Sequence, residues 1–112
     1  MEKLSPEVLG SEKVVGAIIK LLGDSDSYVR ETALKAVEKL SPEKLNSAKV
    51  VDAIIIHLGN SDKSIRVTAL EAMEKLSPEV SKSEKLVDAI VAHLGDRSWH
   101  VRDQALELME KL

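Results

Sequence analysis

The hexapeptide Glu-Lys-Leu-Ser-Pro-Glu occurs three times, at 2–7, 38–43 and 74–79, so the chain repeats itself every 36 residues. Aligned from Leu4, Leu40 and Leu76, the first two blocks match at 23 of 36 positions and each matches the third at 20, without insertions. Agreement over the whole block marks a structural repeat rather than a shared turn. A unit of this length cannot bury its apolar face alone, so successive units must stack and share one core. The expected organisation is a single repeat domain over 1–112, with repeats at 4–39, 40–75 and 76–111.

Within each block the apolar residues recur at helical spacing. Val14, Val15, Ile18, Ile19 and Leu22 share one face, with Lys13, Gly16 and Lys20 opposite. Ser11 is the expected N-cap of this first helix, and Gly23 the expected left-handed stop. A second helix follows Asp26, with Val29, Ala33, Val37 and Leu40 as its buried stripe. Pro42 disfavours helix at Ser41, and can itself open a short turn capped by that serine. The later blocks repeat the plan with Ser47, Gly59 and Asp62, then Ser83, Gly95 and Ser98. Even the β-prone run Ile54-Ile55-Ile56 falls in helical register. The fold class read from this pattern is all-α: an α-solenoid of three stacked 36-residue helical hairpins, six helices in all.

Residues separate the known repeat classes. Tetratricopeptide repeats need Phe at fixed places, and this chain has none. RNA-reading repeats of similar length need a repeated set of base-stacking side chains, which is missing here. The stretch Leu22-Gly23-Asp24-Ser25-Asp26-Ser27-Tyr28-Val29-Arg30-Glu31-Thr32-Ala33-Leu34 resembles the HEAT repeat in its short bacterial and archaeal form. Asp24 with Arg30, and Asp96 with Arg102, carry the pattern; Asp96-Arg97-Ser98-Trp99-His100-Val101-Arg102 is its closest match. The second block departs at Asn60 while keeping Arg66. All three lack the family's first-helix proline, having Gly16, Asp52 and Asp88 instead, which implies straighter first helices. The resemblance implies a HEAT-like superhelix and a structural ladder of Asp24, Arg30, Asn60, Arg66, Asp96 and Arg102. It also implies that second helices line the concave side.

Chemistry is hard to find. With no cysteine there is no disulfide, thiolate zinc site or cysteine nucleophile. His57 and His93 sit at equivalent places, each followed by Leu-Gly rather than by the Glu of di-iron arrays. No histidine pair has the spacing of a helical zinc site, and the serines fall at caps and turns. The expectation is a chain with no enzymatic activity, no cofactor and no metal. Charged residues of both signs make up 31% and the net charge is -3, too little field of one sign to hold a polyanion. Nucleic acid and membrane are therefore not expected partners. The absence of a long apolar run or leader-like start points to the cytoplasm.

Differences between blocks concentrate on outward positions of the second helix: Tyr28, Ser64 and His100; Glu31, Val67 and Asp103; Thr32, Thr68 and Gln104; Lys35, Glu71 and Glu107. This set is the candidate surface for a protein or peptide partner. The competing reading of the same positions is a solvated face, marked by the Glu-to-Lys spacings Glu31/Lys35, Glu71/Lys75 and Glu107/Lys111. Trp99 is expected to pack on its loop, whereas Tyr28 is left open; Ile56 and Val67 are small apolar candidates. Leu108 replaces Ala36 and Ala72, suiting a position with no following repeat. Two functions compete: a noncatalytic scaffold for protein or peptide binding, or a designed, consensus-derived or excised module with no native ligand. The expected state is a monomer or a weak head-to-tail self-associate.

Overall fold

The computed structural model describes residues 12–76 and 83–112, and these contain seven α-helices and no strand. They are α1 (Glu12–Leu21), α2 (Ser27–Glu38), α3 (Pro42–Leu45), α4 (Ala48–Leu58), α5 (Lys63–Glu74), α6 (Glu84–His93) and α7 (Trp99–Glu110). The six long helices pair as hairpins α1–α2, α4–α5 and α6–α7. The short α3 is the turn opened by Pro42, whose fourth residue Leu45 bonds back to the Ser41 carbonyl at 2.9 Å. Hairpins stack so that α1, α4 and α6 form one layer and α2, α5 and α7 the other. The chain is an all-α stack of helical hairpins, an α-solenoid.

The caps follow local chemistry. Asp26 and Asp62 accept the backbone N–H groups of Tyr28 and Ser64, each at 2.8 Å. One step earlier, Asp24, Asn60 and Asp96 accept the N–H two residues on, again at 2.8 Å. These side chains close each inter-helix loop before the next helix starts. Ser47 caps α4 by accepting from Val50, whereas Ser83 and Ser98 make no side-chain cap bond. Ser11 lies outside the described residues.

The glycines behave differently from expectation. No described glycine has a positive φ; Gly59 stands at φ −87°. The first helices end in tight turns of ordinary hand, so handedness does not require Gly23. Space does. A Cβ on Gly23 would lie 2.5 Å from His57 Cε1, because that ring rises against the turn and donates from Nε2 to the Ile19 carbonyl at 2.9 Å. His93 also reaches back to the preceding hairpin, at a different carbonyl: its Nε2 is 2.8 Å from the Leu58 carbonyl oxygen, and its Nδ1 is 2.7 Å from the Ala89 carbonyl oxygen in its own helix. The two histidines thus tie each first helix to the one before it.

The core runs without interruption through all three hairpins. Val15, Ile18, Ile19 and Leu22 are buried, as are Ala33, Val37 and Leu40 of the second stripe. Ile54 at the centre of α4 is fully enclosed, so Ile54→Ala should cost about 2–5 kcal/mol, read as a fall in denaturation midpoint. Leu108 is only 2% exposed, so its extra bulk is packed in the interior. Ile56 does stand out in solvent, while Val67 is half-buried against the core.

Candidate functional site

Stacked second helices meet along a seam, and the seam between α2 and α5 opens into a groove of about 460 Å³. Leu34 and Val67 supply its apolar surface. Glu31, Glu71 and Lys63 stand around it, and Arg30, Thr68 and Ser64 lie along its polar side. His100 reaches in from α7, so all three hairpins contribute.

Six of the twelve expected surface residues come together here: Glu31, Ser64, Val67, Thr68, Glu71 and His100. The other six do not line this groove. Tyr28 is 79% exposed beside it, and Thr32 turns back to donate to the Tyr28 carbonyl at 2.9 Å. Lys35 and Glu107 are exposed, Gln104 is half-buried, and Asp103 lines a separate hollow with Leu94, Trp99, Arg102 and Leu106. Thr68 departs from its expected solvent-facing place. It is buried, donates to the Ser64 carbonyl at 2.9 Å, and accepts from Arg30 Nε at 3.2 Å.

Sequence reasoning missed three groove residues, Ser27, Lys63 and, most tellingly, Leu34. Leu34 is identical in every block, which reads as core, yet only Leu70 among its equivalents is fully buried. Glu71 has unusual electrostatics. Burial raises its carboxyl above the ordinary range, repulsion from Glu74 adds to this, and Lys75 opposes it. A cation arriving in the groove would oppose both causes by direct attraction to the carboxylate.

The ladder residues hold the stack beside this groove. Arg66 grips the Asp96 carboxylate of the next hairpin with two hydrogen bonds, Nε at 2.9 Å and Nη2 at 3.0 Å. Its Nη1 donates to the carbonyls of Asn60 and Ser61 in its own loop. Burial alone would raise Asp96; the hydrogen bonds from Arg66 and the Ser98 N–H outweigh it and hold the carboxyl below its ordinary value. Arg30 keeps the local half of the pattern, donating to the Asp24 carbonyl at 2.6 Å. Across the interface it turns to Thr68, since Asn60 offers no carboxylate. Arg102 is exposed and bonds the Asp96 carbonyl at 2.7 Å.

A second ladder was hidden in the invariant Glu-Lys pair. Lys75 bridges to Glu38 at 2.6 Å, and Lys111 to Glu74, so each pair links neighbouring hairpins. Lys75 and Lys111 therefore pair across the stack, not with Glu71 and Glu107 on their own helices. On the other layer Lys85 bridges to Asp52. These exposed pairs contribute roughly 0–1 kcal/mol each and act mainly on register. Trp99 is not packed on its loop: it is 61% exposed and leans on His100, with ring centroids 3.7 Å apart. Its equivalents Ser27 and Lys63 are exposed too, so the position points outward in every hairpin.

Among the described residues no cluster of three His, Asp or Glu could hold a metal ion, and no helix is long and apolar enough to cross a membrane. The stacked hairpins and the arginine ladder define a helical-repeat protein. The family pattern of the HEAT repeat matches residues 14–43, spanning α1, α2 and the start of α3. This match supports reading the chain as a HEAT-like helical repeat protein. Comparison with curated proteins finds no match.

Proposed function

We propose that this chain is a noncatalytic scaffold that holds a peptide or an extended protein segment against its second helices. The observation that carries this reading is the groove itself, whose apolar Leu34 and Val67 are joined in the lining by Glu31 and Glu71, by Lys63, and by an Arg30 already bonded to Thr68 and the Asp24 carbonyl. That chemistry suits a segment with apolar anchors flanked by Lys or Arg. HEAT repeats are scaffolds often used in protein interaction, which agrees with such a role. The reading takes 1–112 as one repeat domain in the cytoplasm, with neither nucleic acid nor membrane as partner.

Selection of displayed random peptides on the wild-type chain tests it. The expected winners are apolar–basic peptides whose affinity falls at least about tenfold on Val67→Asp and on Glu71→Lys. Enrichment of nothing, as a ligand-free structural module predicts, would overturn the reading. So would winners that bind both variants as well as wild type.

A further inference from the structure

The two outer faces of the stack differ from internal faces in what they leave open. Arg30 and Arg66 are 7% and 5% exposed, but their equivalent Arg102 is open to solvent. Leu70 is enclosed whereas Leu106 is 50% exposed, and Ile19 is buried whereas Val91 is 51% exposed. On the opposite face, Leu21 is 40% exposed where His57 and His93 are half-buried, and Thr32 is exposed where Thr68 is buried. Each open residue occupies a position that a neighbouring hairpin covers elsewhere.

The internal bridges give the register in which these faces would meet. Glu74–Lys111, Arg66–Asp96 and Asp52–Lys85 each join one hairpin to the next. Advanced by one 36-residue step, the same three links pair Glu110, Arg102 and Asp88 with Lys39, Asp24 and Lys13 of another copy. All three signs are correct. Asp24 is also preset like Asp96, its Oδ1 accepting the N–H two residues on at 2.8 Å. Inside the chain the first interface does worse: the same positions place Arg30 against Asn60 and Gly16 against Lys49, leaving only Glu38–Lys75. The outer faces therefore complement each other better than the first two hairpins do.

We infer that the chain stacks head to tail with a second copy, its α6–α7 face receiving the α1–α2 face in the register of the internal repeats. A heterologous contact of this kind does not close on itself and gives rods rather than a closed dimer. The second-helix face would continue from copy to copy. This inference stands apart from the groove reading, because it uses different residues and a different measurement.

Sedimentation across a wide concentration range at low salt tests it. The expected weight-average mass rises above 12.3 kDa with concentration and falls back as salt screens the bridges. Glu110→Lys and Lys39→Glu, both at exposed positions, should each weaken association about tenfold by opposing like charges. Mixing the two variants should restore it as alternating copies, with circular dichroism showing both folded. A constant 12.3 kDa, association indifferent to either reversal, or no recovery on mixing would each overturn the inference.

Discussion

The first and second hairpin interfaces use one set of helices and two different polar locks. Between the second and third hairpins, Arg66 forks onto a carboxylate, with side chains only 6% and 9% exposed. Between the first and second, Arg30 makes a single bond to a threonine hydroxyl. Asn60 stands where the second interface has Asp96, and Thr68 where it has Gln104. Both interfaces nonetheless keep the same stacking of apolar stripes and the same lysine bridge. Apolar packing therefore sets the stack, and the arginine lock adjusts how much each joint resists opening.

The largest expected contrast comes from removing the two arginines. Arg66→Ala leaves a buried carboxylate without its partner and should cost about 3–5 kcal/mol, whereas Arg30→Ala loses only bonds to neutral acceptors and should cost about 1–2 kcal/mol. Urea denaturation of both variants measures the gap, and equal losses would contradict the distinction. Next in size is the glycine contrast. Gly23→Ala must push the His57 ring off the Ile19 carbonyl and should cost about 1 kcal/mol, while at Gly59 the nearest atom to an added Cβ is the Ile56 carbonyl at 3.4 Å. Gly59→Ala should therefore be milder, and His57→Ala should erase the added cost at Gly23 in a double-mutant cycle.

Asn60→Asp would sharpen the comparison from the other side. It supplies the missing carboxylate, should draw Arg30 away from Thr68, and should raise stability by about 1 kcal/mol. The smallest effect is on pH. The folded protein holds the Asp96 carboxyl below its ordinary value, so the proton binds more tightly in the unfolded chain. The resulting stabilisation is complete above the ordinary carboxylate range and is lost as pH falls below about 4. Denaturation midpoints should drop over that window in wild type, and less steeply in Asp96→Asn.

Much of the molecule was legible beforehand. Helical spacing located the long helices, the Ser-Pro step predicted the short turn at Pro42–Leu45, and the stripe from Val15 to Leu22 is the observed core of α1. The surface was legible only by half. Thr68 looked solvent-facing because its block position varies, yet a neighbouring arginine covers it. Leu34 looked like core because it never varies, yet it faces a groove. The lysines offered nearer partners four residues away but bridge to the next hairpin, since stacking brings Glu38 within 2.6 Å of Lys75.

By itself the sequence determined the repeat length, the helical hairpins, their apolar stripes and the need to stack, because these follow from periodicity and local backbone chemistry. Tertiary structure alone decided which polar groups meet between hairpins, why Gly23 must stay small, and where a groove opens. Those depend on how neighbouring hairpins are offset, which no single block encodes. The same offset, applied once more at either end, is what turns two unremarkable outer faces into matching surfaces.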